Sequence, residues 1–116
     1  MPKKPVSKNV SRLNEDIKRE LIDIIGGMKD PRVKGGLLTI VRVDTTNDLA
    51  QCKVYVSVMD RPGGAKEVVD GLNAAKGHVR SEISSRMHIR RAPEMIFIED
   101  DSAAYAAHIN SVLKDL

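Results

Sequence analysis

The chain has 116 residues, of which 41% are hydrophobic and 30% charged, and a net charge of +3. That balance fits one globular domain with its own core and excludes a disordered polyelectrolyte; a single cysteine, Cys52, excludes an internal disulfide framework and fits a reducing cytoplasm. No apolar run reaches the ~20 residues of a membrane span, and no apolar stretch follows the N-terminal lysines as a secretory signal would require.

Residues 1–9 hold Pro2, Pro5 and three lysines and read as a mobile basic tail; residues 10–116 read as one domain. Leu13, Ile17, Leu21, Ile24 and Met28 fall at helical spacing and predict an amphipathic first helix. Ser11 is the expected N-cap, with Asn14, Glu15 and Asp16 in the first turn, and Gly26-Gly27 and Asp30-Pro31 end the helix. Leu37 to Val43, rich in β-branched residues, predicts a strand, and Thr45 to Asp48 a turn. From Gln51 to Val58 apolar and polar residues alternate, with Cys52, Val54, Val56 and Val58 on the buried side; the two strands make an antiparallel hairpin.

Asp60-Arg61-Pro62-Gly63-Gly64 breaks the chain again. Val68, Leu72, Ala75, Val79 and Ile83 then keep helical phase through Gly77. A straight helix over that stretch would be ~34 Å long, the width of a domain this size, so a break is expected at Ala75-Lys76-Gly77. Met95 to Ile98 predicts a third strand. A last helix is expected from Asp100-Asp101-Ser102, with Tyr105, Ile109, Val112 and Leu113 as its stripe. The order implies an α+β fold, a three-stranded sheet packed by helices.

The charge is uneven. Residues 1–12 carry Lys3, Lys4, Lys8 and Arg12 without an acid, and residues 72–93 carry Lys76, Arg80, Arg86, Arg90 and Arg91 against Glu82 alone. The remainder is net acidic, a pattern suited to docking one face on a polyanion. No Gly-rich phosphate loop is present, and His78, His88 and His108 lack metal-ligand spacing. Cys52 sits among apolar positions and reads as a small core residue. No catalytic residue, metal or cofactor is expected, nor a small-molecule substrate. Three aromatic residues in the whole chain, none in the basic segment, leave little for base stacking.

A glycine between two helices permits close backbone approach, and the second helix offers free N–H groups and a positive dipole end to a phosphate. Lys76, Arg80, Arg86, Arg90 and Arg91 would extend that site. A solvated helix pair gives the same composition, and a protein-interaction module using the hairpin edge remains a rival.

The helix-strand-strand-helix-kink-helix-strand order resembles a type II KH domain, with Ala75-Lys76-Gly77 in place of the usual Gly-x-x-Gly loop. That kink is similar to the Ala-x-Gly of the bacterial ribosome-binding factor A family. Lys29-Asp30-Pro31-Arg32, Val54 to Val58, Arg80 to Ile83, Arg90 to Glu94 and Asp100 to Ser102 match as well, in order, over residues 8–114. The resemblance implies a non-catalytic, monomeric, cytoplasmic factor. It would bind the free small ribosomal subunit and its rRNA and assist late maturation and rRNA processing, above all in the cold. The implied RNA contacts are Lys76, Arg80, Arg86, Arg90 and Arg91, with Ala75 and Gly77 shaping the kink. Gly26-Gly27 departs from the family's usually unbroken first helix, and many relatives carry a longer charged C-terminal tail.

Overall fold

The computed structural model describes residues 8–100. Three helices, α1 (Lys8–Gly26), α2 (Lys66–Ala74) and α3 (Lys76–Met87), accompany three strands, β1 (Leu37–Thr45), β2 (Gln51–Met59) and β3 (Glu94–Glu99). The helix expected after Asp100 and most of the basic tail lie outside the described residues.

The sheet has the order β1-β2-β3. β1 and β2 form the expected antiparallel hairpin, Leu37 opposite Met59 and Thr45 opposite Cys52, with an irregularity between Ile40 and Arg42 that leaves Val41 unpaired. β3 joins the other side of β2 in parallel, Glu94 opposite Gln51 and Val56 opposite Glu99. A parallel neighbour needs a crossover, and α2 and α3 supply it. Alternation then sorts the side chains: Ile40, Val43, Cys52, Val54, Val56, Met95 and Phe97 enter one core, where they meet Ile17, Leu21 and Ile24 of α1, Val68 and Leu72 of α2, and Val79 and Ile83 of α3. Ten side chains in that core are fully buried. This is the α+β, type II KH-like arrangement.

Two expectations about α1 need correction. It begins at Lys8, so Ser11 stands inside the helix rather than capping it, and Asn14, Glu15 and Asp16 lie beyond the first turn. The apolar stripe reaches back to Val10, which is buried, and burial there outweighs a local cap signal. β1 likewise runs through Thr45, which is buried rather than part of the turn.

Each edge of the sheet is partly closed by a helix asparagine. Asn14 Oδ1 accepts the Thr45 N–H at 2.9 Å on the β1 edge. On the β3 edge Asn73 accepts the Phe97 N–H at 3.0 Å and donates to the Phe97 carbonyl at 3.1 Å, replacing a missing strand with one side-chain amide. Between β2 and α2, Arg61 gathers the loop before β1. Its side chain is 8% exposed, and it donates to the carbonyls of Lys34, Pro31 and Arg32 at 3.3, 3.3 and 3.1 Å while pairing with Glu67 at 3.2 Å. The same close packing explains Gly36: its φ is +72°, and a Cβ there would stand 2.6 Å from the Met59 carbonyl oxygen.

Candidate nucleic-acid interface

Helical phase is shared by α2 and α3, yet Ala75 between them leaves the helical region at φ −95°, ψ 7°. Its N–H returns to the Gly71 and Leu72 carbonyls, and Val79 N–H is bonded to the Ala75 carbonyl at 3.0 Å. The break therefore falls on the predicted residues. Gly77 lies in the first turn of α3, its φ is not positive, and nothing stands within 4 Å of where its Cβ would be. The fold itself thus makes no steric demand for glycine at 77. Val79 and Ile83 anchor α3 to the core and leave Lys76, Gly77 and His78 exposed at its N-terminal end. The N–H groups of that first turn have no intrahelical partner, and the helix dipole is positive there.

Four of the five sequence-predicted cations gather at this corner of the sheet. Lys76 Nζ reaches Glu94 at 3.5 Å, both side chains being about half exposed. Such a surface pair contributes little to stability and leaves the ammonium available. Arg80 is half-buried; its Nε donates to the Ala92 carbonyl at 2.9 Å and ties α3 to the loop before β3. Ser84 Oγ accepts the Ala92 N–H at 3.3 Å, which fixes the same loop from the next turn. Arg80, Arg91 and Ala92 line one side of a hollow of about 380 Å³ whose other side is the β1–β2 turn, Asp48, Leu49 and Ala50. Arg90 and Arg91 are exposed, and neither forms an ion pair among the described residues.

Arg86 lies elsewhere. It turns toward α1 and pairs with Asp23, with Glu20 at 3.6 Å and with Glu82 at 3.2 Å. The bond to Asp23, then the one to Glu82, holds its guanidinium above the ordinary arginine range. Only the Glu82 partner, one turn away, could be read from local spacing; the two α1 carboxylates are tertiary. Asn73 and Arg61 also escaped the sequence reading, because side-chain bonds to distant main chain leave no periodic trace.

The cations and the helix end at this corner offer positive electrostatics and shape. Cys52 is fully buried, and burial pushes its thiol up to about 11, which keeps it neutral and unreactive. Among the described residues no three metal-ligating side chains come together, and no helix is long and apolar enough to cross a membrane.

Comparison with known proteins agrees with this reading of the fold. The family Ribosome-binding factor A matches residues 9–113. The ribosome-binding factor A of a Cyanothece strain is 38% identical over 110 residues, which are 94% of this chain and 82% of that one. The solution structure of a Thermotoga maritima protein described as a ribosome binding factor A is 33% identical, with a TM-score of 0.72 over 85% of this chain and 92% of that one. A Thermus thermophilus ribosome binding factor A, fitted as a homology model into a cryo-electron microscopy map of a 30S complex, is 28% identical with a TM-score of 0.63 over 78% and 93% of the two chains. With nearly its whole length matched, the chain belongs to the ribosome-binding factor A family.

Proposed function

We propose that this protein binds the free small ribosomal subunit through its rRNA, without catalysis, and assists late subunit maturation and rRNA processing, notably at low temperature. It acts in the cytoplasm as a monomer with a single domain, which takes in Lys8 and Asn9 of the stretch expected as a basic tail because α1 begins at Lys8. The observation that carries the reading is the corner where the N-terminal end of α3, Lys76, Arg80, Arg90 and Arg91 converge, with two of these cations exposed and unpaired among the described residues. The 30S complex of the Thermus relative supports the same partner.

Phosphates dock at the helix end and on the arginines, and the loop between α3 and β3, held at Ala92 by Arg80 and Ser84, sets their spacing. A-form RNA is recognised largely by shape and backbone, which suits a site without aromatic platforms. Binding then favours whichever rRNA conformer fits this corner, by the difference in affinity between conformers. Arg86 contributes by bracing α3 against α1. Co-sedimentation of the purified protein with free small subunits, free large subunits and assembled ribosomes tests the proposal. Selective pelleting with free small subunits is expected. Equal binding to all three reduces the protein to a generic RNA binder, and no binding at low salt overturns the reading.

A further inference from the structure

We propose that the groove between α1 and the free edge of β1 docks an extended protein segment carrying apolar side chains flanked by carboxylates. The groove holds about 400 Å³ and is floored by Ile22, Ile25, Met28, Val33, Leu38 and Ile40. Within it Ile22 is 57% exposed, an apolar side chain that the core of this small domain does not use.

Three observations select the occupant. First, β1 is an edge strand, and its two ends are treated differently. Asn14 closes the edge at Thr45, whereas no bond to the outer side of Leu37–Ile40 is found among the described residues. An extended segment can add there by main-chain hydrogen bonds and place alternate side chains in the groove. Second, the surrounding charge is positive and uncommitted. Lys34 lines the groove, Lys18 stands one turn before Ile22 on α1, and Lys29 follows Met28; none forms an ion pair among the described residues. Among the neighbouring acids Glu20 and Asp23 pair with Arg86 and Asp30 with Arg32, which leaves Asp60, next to the Leu37–Met59 pair, as an exposed carboxylate against three lysines. Carboxylates are thus the complementary groups for a visiting segment. Third, the groove lies away from the basic kink. Leu38 faces Val58 near the end of β2, whereas the kink's partner Glu94 faces Gln51 at its start, on the opposite edge. RNA at one corner and a protein segment at the other can be held together.

The test uses the whole protein, labelled with ¹⁵N, and two short synthetic peptides. Both carry the same alternating valines and leucines; one is flanked by glutamates and the other by lysines. The glutamate peptide is expected to shift the amides of Ile22, Val33, Leu38 and Ile40, to slow exchange of the Leu37–Ile40 amides, and to bind about tenfold more tightly than its lysine counterpart, less so at high salt. Ile22→Glu should abolish that binding and leave the urea midpoint in place, because the side chain is already mostly solvated. Equal binding of the two peptides, shifts confined to other residues, or no binding overturns the proposal. So does displacement of the peptide by an RNA oligonucleotide, or dimerisation of the chain through these residues in the absence of peptide. None of these readouts depends on the small-subunit reading.

Discussion

At the end of the sheet where Leu37 faces Met59, Arg61 is almost wholly withdrawn from solvent and gives its guanidinium to three main-chain carbonyls and Glu67. At the other end, where Gln51 faces Glu94, Arg90 and Arg91 stand exposed with no ionic partner among the described residues. Composition treats these side chains alike. Their surroundings differ: in one place a planar fork of donors satisfies a loop that has no strand partner, and in the other it faces solvent. Arg80 and Arg86 are intermediate, each spending part of its bonding on the fold.

The largest expected effect breaks the structural end. Arg61→Ala removes the donors that hold residues 31–34, and should cost about 3 kcal/mol in urea denaturation. Arg61→Lys should recover only a minor part, because one ammonium cannot span carbonyls that lie apart in the loop. A loss under about 1 kcal/mol for Arg61→Ala would make it an ordinary surface arginine and erase the contrast.

That arginine also marks where sequence reasoning stops. The described elements, the hairpin and the break at Ala75 were legible because burial imposes a period, and because a straight helix through Gly77 would have run the full width of the domain. The start of α1 was not, since Ser11 looked like a cap and the weight of Val10 in the core depends on tertiary packing. At the candidate site, the residue types and the kink could be read, as could the loop containing Arg90 and Arg91. What could not be read was which cations the protein keeps for itself. Arg86 had Glu82 at helical spacing, but Glu20 and Asp23 come from α1.

Arg86→Ala sharpens the comparison from the middle. Its side chain is 34% exposed, so screening limits its three ion pairs, and a small drop in the urea midpoint is expected, smaller still at high salt. Small-subunit affinity should change less than for Arg90→Ala or Arg91→Ala. An affinity loss without a stability loss would move Arg86 to the exposed group.

A smaller effect concerns acid. Asp30 caps the turn that Arg61 gathers, accepting the Arg32 N–H at 2.9 Å and pairing with its guanidinium. The side-chain bond to Arg32, then the bond from its backbone, holds the Asp30 carboxyl below the ordinary carboxylate range. A carboxylate with a lowered folded-state pKa contributes stability that is present above its unfolded pKa and lost as pH falls through the folded value. Acid denaturation of the wild type should therefore include a contribution that Asp30→Asn lacks. Parallel curves for the two proteins below the ordinary carboxylate range would show that Asp30 does not carry it.

At the exposed end the fold should barely register a change that binding feels. Arg90→Ala with Arg91→Ala is expected to shift stability by less than about 0.5 kcal/mol. The slope of log affinity for rRNA against log salt should fall by roughly 0.7 to 0.9 for each phosphate that the protein no longer neutralises. An unchanged slope would place the RNA on another surface.

Gly77→Ala gives an effect on the fold that is zero or favourable, and its sign is informative. The position has ordinary helical backbone with open space where a Cβ would stand. Alanine in the first turn of α3 should therefore leave stability unchanged or raise it by up to about 1 kcal/mol. The same methyl group would stand between the α3 N-terminus and a docked phosphate, so small-subunit affinity should fall as thermal stability holds or rises. Fold and function separate at this residue: glycine is unnecessary for the helix and useful only if another backbone comes close. Unchanged affinity in a stabilised Gly77→Ala protein would mean that no such approach occurs at the kink, leaving the arginines of the 88–93 loop to hold the RNA by charge alone.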